Sequence, residues 1–420
     1  MTTIPTEAQA RPLPGAWLVV ILLWFVAGVN WSARGLIVTM HDSVTAAIPM
    51  SNTQFGLLTS CFAWTYGLLS PFAGFLADRF SRSRVIVVSL IAWSVLTWLT
   101  AYARNFNELL ALRILLGVSE CTYLPASLAL ITDYHRTTTR SVAVGIHMSG
   151  VSMGASLAGI GGWLAERHTW NYPFQLVGLI GVSYGLVLIF LLRDAPKVSV
   201  SPTPVAVIVP VASFREALAS LFGRRAFILL LSYYGLAGFV GWAILGWMPT
   251  FIYEHFKLGE GAAGFSASGC VNLANLCGVF VGGILADRWS RTHARACILV
   301  PAIALCFAGP GIFLTANTDL IYAAMFGLVA FGFAGGFSDA NMMPILCVVG
   351  DARYRATAYG ILNFAGCLCG GLAIYATGAL RDLHLSSVQI LNGGAAVMLL
   401  CPIFLFLIRP PAAPVANPDR

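Results

Sequence analysis

Apolar residues run in blocks of about 20, each closed by a short polar or charged stretch, along the whole chain. A helix rises about 1.5 Å per residue, so such a block crosses the ~30 Å hydrocarbon core of a bilayer. The pattern predicts twelve spans, at 16–39, 54–77, 84–102, 109–132, 141–164, 174–193, 226–251, 262–286, 296–315, 320–346, 356–378 and 388–408. Barrel strands would be about half as long and would alternate apolar with polar residues. The expected fold class is therefore an all-α membrane protein with twelve transmembrane helices. The longest polar interruption, Arg193 to Arg225, holds the prolines Pro202 and Pro204, an apolar patch at Val205–Ala212 too short to span, and the amphipathic Phe214-Arg-Glu-Ala-Leu218. It reads as a cytoplasmic linker lying partly on the membrane surface. It divides the chain into a first six-helix bundle at 1–195, a linker at 196–225 and a second bundle at 226–420.

Composition sharpens this. Of the 420 residues, 58% are hydrophobic and only 10% are charged, against about a quarter charged in soluble proteins. The net charge of +7 comes from basic residues in the short polar stretches, so it does not point to nucleic acid. With the N-terminus inside, eighteen Lys and Arg fall in cytoplasmic segments, four fall on the opposite side, and Arg34 and Arg113 remain within spans. Such an imbalance predicts cytoplasmic termini. The ten cysteines lie almost entirely within the apolar runs and read as packing residues, with neither a metal nor a cofactor expected. The polar start, Met1 to Pro14, precedes a run too long for a signal peptide and is expected to stay uncleaved. No loop carries a nucleophile–base pair or a metal-ligand cluster, which argues against an enzyme.

The two halves repeat. Gly74-Phe-Leu-Ala-Asp78-Arg79-Phe-Ser-Arg82 recurs as Gly283-Ile-Leu-Ala-Asp287-Arg288-Trp-Ser-Arg291, and Arg140-Ser-Val-Ala-Val-Gly145 recurs more loosely as Arg355-Ala-Thr-Ala-Tyr-Gly360. Both pairs occupy matching places, after the second and before the fifth span of each half. Paired six-helix units are the mark of a secondary transporter with its site near the midplane.

Four charges lie well inside spans: Arg34, Arg113, Glu120 and Asp339. Each costs several kcal/mol in lipid unless it meets a polar partner or cavity. Arg113 and Glu120 stand seven residues apart on one helix face, roughly 10 Å along the axis, so each needs a partner on another helix. Tyr123, one turn beyond Glu120, is a candidate hydrogen-bond donor to it. Asp339, Asn341 and Pro344 in one span suggest a broken segment lining a cavity, with Arg353 or Arg355 as an alternative, structural partner for Asp339. Asn363, Asn272 and Asn275 are further polar candidates, equally suited to tying helices together.

The duplicated G-x-L-A-D-R-x-S-R stretch resembles the loop signature of the major facilitator superfamily, and the resemblance covers the whole chain. It implies a two-bundle transporter whose loop network, here Gly74, Asp78, Arg79, Arg82, Arg140, Asp287, Arg288, Arg291 and Arg355, latches one conformational state. Arg113-x-x-x-Gly117-x-x-Glu120 resembles that family's fourth-span signature. The fifth-span glycines Gly145, Gly150, Gly154, Gly159, Gly161 and Gly162 resemble its glycine-rich helix. Asn30-Trp-Ser-Ala33-Arg34 is similar to the N-Y-x-D-R pattern of the anion:cation symporter (sialin, hexuronate and galactonate type) and spinster-like branches, except that Ala33 stands where the acid is expected. Phe62-Ala-Trp-Thr-Tyr66, Trp247-Met-Pro-Thr-Phe251 and Trp170-Asn-Tyr-Pro-Phe174 resemble further segments of the same branch. The resemblance implies that Arg34 holds a substrate anion, with Asn30, Tyr66, His147, Asp339, Asn341 and Asn363 as candidate substrate contacts. Glu120, with Tyr123, is then left as the proton carrier and Arg113 as part of the helix network.

The leading expectation is a proton-coupled symporter of a small organic anion, a sugar acid or other carboxylate, working as a monomer in a bacterial inner membrane. Its partners would be the anion, protons and the bilayer, with no nucleic acid. A sugar-phosphate/phosphate exchanger, a spinster-like lipid or drug exporter, and a solute receptor that moves nothing remain open.

Overall fold

Inside a bilayer no water bonds the backbone, so each apolar block must satisfy its own N–H and C=O groups, and a helix does so within one segment. The computed structural model of the chain describes residues 12–135, 139–196, 214–293, 295–350 and 354–409. Every regular element among them is a helix. The first half holds α1 (Ala16–Thr39), α2 (His41–Ala47), α3 (Asn52–Arg79), α4 (Arg82–Thr100), α5 (Phe106–Glu120), α6 (Tyr123–Tyr134), α7 (Arg140–Leu157), α8 (Ile160–Arg167) and α9 (Asn171–Leu191). Then follow α10 (Phe214–Phe222), α11 (Arg225–Phe256), α12 (Glu260–Ser290), α13 (Ala296–Asn317), α14 (Ile321–Val349), α15 (Arg355–Asp382) and α16 (Ser387–Leu407). Eleven helical stretches among the described residues are long and apolar enough to cross a membrane, with α5–α6 counting as one and α7–α8 as another. The 28-residue α3, at the second predicted span, is not among these eleven.

Local chemistry explains several starts and stops. Ser51 and Gln54 cap α3 reciprocally: the Ser51 N–H donates to Gln54 Oε1 at 2.9 Å and the Gln54 N–H to Ser51 Oγ at 3.2 Å. Asn105 caps α5, accepting from the Glu108 N–H at 3.0 Å, while the Glu108 carboxylate accepts from Asn105 Nδ2 at 2.7 Å and from the Arg104 N–H at 2.8 Å. The Ser83 N–H at the start of α4 donates to Asp194 Oδ1 at 2.8 Å. Burial alone would raise the Asp194 carboxyl, but the Ser81 hydroxyl and the Ser83 donors outweigh it and hold it below the usual carboxylate range.

The structure departs from the block pattern in four places. The fourth predicted span is not one helix but breaks at Cys121–Thr122, directly after Glu120. Pro125 has no N–H to return to the Cys121 carbonyl, so the ladder opens there. The fifth span breaks between Leu157 and Ile160, where α1 hydroxyls share carbonyls that also accept backbone N–H groups: Ser32 donates to Gly154 O and Thr39 to Ala158 O, both at 2.9 Å. The short α2 forms between the first two spans, where no element was expected. Conversely, α14 runs unbroken through Asp339, Asn341 and Pro344, correcting the expectation of a broken segment. One proline removes one ladder bond, and a packed membrane helix tolerates that.

Contacts divide the chain into two units. The first comprises the described residues within Met1–Ser201, Trp242–Leu273 and Gly370–Ser387. One core cluster centres on Leu23, Trp93, Tyr123 and Leu130, all essentially inaccessible. Here α1 and α7 approach so closely that a Cβ on Gly154 would lie 2.8 Å from Gly28 Cα. A second cluster joins Ile37, Phe55 and Leu58 to Trp247 and Ile374, so parts of α11 and α15 pack directly on first-half helices. The Ser60 hydroxyl accordingly donates to Gly371 O at 2.6 Å. The second unit comprises the described residues within Pro202–Gly241, Ala274–Cys369 and Val388–Arg420. Its α12 and α14 are tied by Asn341, whose amide donates to Phe337 O at 2.9 Å and to Gly282 O at 3.4 Å. Arg295 Nη2 reaches Phe406 O and Ile408 O, each at 2.9 Å, at the end of α16.

Candidate functional site

A buried guanidinium needs a counter-charge or a π face, and Arg34 on α1 has both. Its Nε donates to Glu120 Oε2 at the end of α5. Its Cζ lies 4.7 Å from the Trp31 ring centroid, 5.0 Å from Phe62 and 4.6 Å from Tyr66, and the Tyr66 hydroxyl also bonds the guanidinium. The Arg34 side chain is 11% exposed and that of Glu120 is 0% exposed. Three rings around one guanidinium recover part of the desolvation cost, at roughly 0.5–2 kcal/mol per contact.

The fourth-span signature explains how this cage is assembled. A Cβ at Gly117 would lie 3.0 Å from Phe62 O and 3.3 Å from Tyr66 N. The missing Cβ lets α5 close tightly onto α3 at the level of those two rings, where even an alanine would press on the α3 backbone. One turn earlier on α5, Arg113 is 3% exposed. It donates from Nη2 to the Arg34 carbonyl at 3.4 Å and stands 5.7 Å over Phe62. Arg113 and Glu120 therefore do each find a partner on another helix. With Glu120 ionised, the cluster of two arginines and one glutamate carries one net positive charge.

Unsatisfied atoms concentrate here. Glu120 Oε1, Arg113 Nε and both amide atoms of Asn30 are buried without a hydrogen-bond partner, although Asn30 lies beside the Glu120 carboxylate. Buried polar atoms are rarely left unpaired. A carboxylate oxygen with a vacant lone pair next to a guanidinium can take a proton, and the guanidinium can pair with another anion.

The other candidate residues fall elsewhere. Tyr123 is fully buried and donates to Leu23 O at 3.0 Å, not to Glu120, because the break after Glu120 turns its side chain toward α1. His147 is fully buried, with Nε2 3.3 Å from Ser127 Oγ and its ring 6.0 Å from that of Tyr123. In the second unit, Asp339 is exposed and accepts from Asn275 Nδ2 at 2.9 Å. Its partner is thus an amide on α12, not Arg355; Arg353 lies outside the described residues. Asn341 serves the α12–α14 contact, Asn363 is half-buried on α15, and Asn272 donates to Ser268 O at 2.8 Å.

Of the loop network, Arg82 pairs with Asp133 and donates to Ala129 O at 3.2 Å. Arg140 donates to Thr132 O at 3.3 Å, so both arginines converge on the end of α6. Arg79, Asp287, Arg288, Arg291 and Arg355 are exposed at helix ends, and a Cβ on Gly283 would meet Ala340 at 3.9 Å. The side chains of Gly74 and Asp78 lie outside the described residues. Trp31 and Phe62 were not among the expected site residues. Their spacing from Arg34 and Tyr66, three and four residues, was the available signal.

The model of the Major Facilitator Superfamily matches residues 19–374. The chain is 25% identical to the protein spinster of Drosophila melanogaster over 361 residues, which are 82% of this chain and 59% of that protein. It thus spans less than two thirds of that relative's length. It is 22% identical to the hexuronate transporter of Bacillus subtilis, covering 94% of this chain and 95% of that one. A probable galactarate/D-glucarate transporter of Escherichia coli is 24% identical, with 93% and 94% covered. Among solved structures, a bacterial homologue of the human lysosomal transporter Spinster, inward-facing and unoccupied, superposes with a TM-score of 0.76 at 22% identity, over 94% of this chain and 95% of that one. With a family match across most of its length, this membrane-spanning chain belongs to the Major Facilitator Superfamily.

Proposed function

We propose that the protein is a secondary transporter that moves a small organic anion, a sugar acid or other carboxylate, together with protons. The observation that carries this reading is the Arg34–Glu120 pair inside the membrane, with Arg113 beside it. Guanidinium matches carboxylate geometry through two parallel donors. Glu120 occupies the Nε edge of Arg34, so an anion competes with Glu120 for the guanidinium. Protonating Glu120 removes that competitor and raises the affinity for the anion. By linkage the bound anion holds the proton equally strongly. Asn30 offers the displaced carboxyl a neutral amide, and the vacant Glu120 Oε1 is the atom that takes the proton. The names of the hexuronate and galactarate/glucarate relatives support a sugar acid as the cargo.

The same reading places α3 as a twelfth span, both termini in the cytoplasm of a bacterial inner membrane, and six-helix bundles at 1–195 and 226–420 about the linker 196–225. It takes the protein as functional as a monomer, with Asp339, Asn363 and His147 retained as candidate substrate contacts. The likeness to spinster proteins favours one second reading, export of a lipid or drug-like molecule.

A thermal-shift screen of sugar acids, other carboxylates, sugar phosphates and lysolipids on purified protein separates the two. Uptake into proteoliposomes under an imposed pH gradient then tests the coupling. Glu120→Gln is expected to abolish accumulation against a gradient while sparing exchange. If that variant still concentrates substrate when the proton gradient is the driving force, Glu120 is not the carrier.

A further inference from the structure

A second polar cluster lies away from Arg34 and Glu120, where α1 turns into α2. His41 begins α2, and its Nδ1 lies 2.6 Å from Asp42 Oδ1. The imidazole packs edge-on against Phe55 of α3, with centroids 4.5 Å apart, and lies 5.7 Å from Trp247 of α11. These contacts leave Nε2 buried without a partner. His41 borders a small, partly open cavity that Thr39, Asp42, Thr250, Tyr253 and Glu260 also line. Thr250 is 2% exposed, and its Oγ1 too is buried and unpaired. Its lining residues thus bring together one imidazole, two carboxylates, a phenol and two threonine hydroxyls, and two buried atoms of these residues, His41 Nε2 and Thr250 Oγ1, lack a hydrogen-bond partner.

The surrounding charges are mostly acidic. Glu260 of α12 accepts from the Ser43 N–H at 2.8 Å and from the Ser43 hydroxyl. The Tyr253 hydroxyl faces Asp42. Glu166 of α8 accepts from the Gly261 N–H at 3.4 Å. From α15, Arg381 is committed to Glu254 at 2.5 Å and to the Trp247 face at 5.0 Å, while Asp382 is spent on Asn52 and Thr53 of α3. Arg381 is the cation among these groups, and its charge still acts on Asp42 while its donors are bonded elsewhere. The hydrogen bond with His41 holds the Asp42 carboxyl below its usual range, so Asp42 stays ionised beside the ring.

We propose that this cavity is a second proton-binding site, separate from the Arg34–Glu120 pair, at which His41 Nε2 takes the proton. The new N–H then has the Thr250 hydroxyl and the Glu260 carboxylate as acceptors across the cavity. The imidazolium is balanced by Asp42 and lies against the rings of Phe55 and Trp247. Since these groups come from α2, α3, α11 and α12, the bound proton joins pieces of both sequence halves within the first unit.

The test is NMR of ring-labelled histidine in the purified full-length protein, which has seven histidines. The resonance lost in His41→Gln is expected to move with pH in the parent as Nε2 takes up its proton. Its midpoint is expected to fall by about half a unit or more in Thr250→Val or Glu260→Gln, each of which removes a partner of the charged ring. Those two variants keep His41, so the test survives a failure of His41→Gln to fold. Glu120→Gln is expected to leave this titration in place, so the fate of the coupling reading does not decide it. A His41 resonance silent from pH 4 to 9, or a midpoint unmoved in both partner variants, overturns the proposal.

Discussion

Arg34 is held as a guanidinium rather than merely as a charge. Its Nε serves Glu120 while its planar face meets three rings, and lysine reproduces neither contact. Arg34→Lys is therefore expected to weaken substrate binding at least tenfold, ~1.4 kcal/mol, as read by isothermal titration with the ligand found in the thermal-shift screen. A lysine variant that binds as tightly as the parent would show that only the charge is used. Arg34, Arg113 and Glu120 were legible in the sequence because a charge within an apolar run is expensive and therefore conspicuous. Trp31 and Phe62 were not, since aromatic residues are ordinary in membrane helices and helical spacing from Arg34 and Tyr66 is too common there to single them out.

At the scale of single helices, the proline and glycine positions carry most of the meaning. Pro125 ends α5 immediately after Glu120, and that break sends the Tyr123 hydroxyl to α1. On α7, Gly154 touches the backbone of Gly28, whereas a Cβ on Gly145 would meet nothing within 4 Å. Gly154→Ala is accordingly expected to destabilise the protein by about 1–3 kcal/mol through overpacking, while Gly145→Ala leaves it unchanged or slightly stabilises it by helix propensity. Thermal melts of the two purified variants check this, and equal melting temperatures would mean that α1 and α7 are not pressed together at Gly154. The capping pairs Ser51–Gln54 and Asn105–Glu108 follow a local spacing rule readable from sequence. The cap that Asp194 lends to α4 comes from 111 residues away and has no local signature.

For the molecule as a whole, the duplicated loop motif indicates two equivalent halves, yet the first contact unit also takes in 242–273 and 370–387 from the second half. Carboxylates make several of these joins. Asp382 at the end of α15 accepts from the Asn52 N–H at 3.1 Å, the Thr53 N–H at 2.8 Å and the Thr53 hydroxyl at 2.5 Å, so it caps α3 from the other half. Glu260 does the same for α2 through Ser43. Asp382→Ala is expected to cost about 0.5–2 kcal/mol, the usual loss of an N-cap, and to lower the melting temperature measurably. An unchanged melt would show that these bonds do not hold α15 to α3. The pattern of apolar blocks could not announce this join, because Arg381 and Asp382 look like any charged pair closing a span.

The sequence by itself determined the features that follow from local cost: helices, from the length of the apolar blocks; the internal duplication, from the repeated loop; and the in-span charges, from their expense in lipid. Tertiary structure alone decided which side chains meet. Arg34 and Glu120 are 86 residues apart and Ser43 and Glu260 are 217 apart, and helix packing sets those distances. Close backbone approach at Gly117 and Gly154, rather than any pattern along the chain, brings the rings of α3 around Arg34 and seats α7 against α1. Hydrophobic periodicity tells a residue which face of its own helix it occupies; only the packed bundle tells it what that face sees.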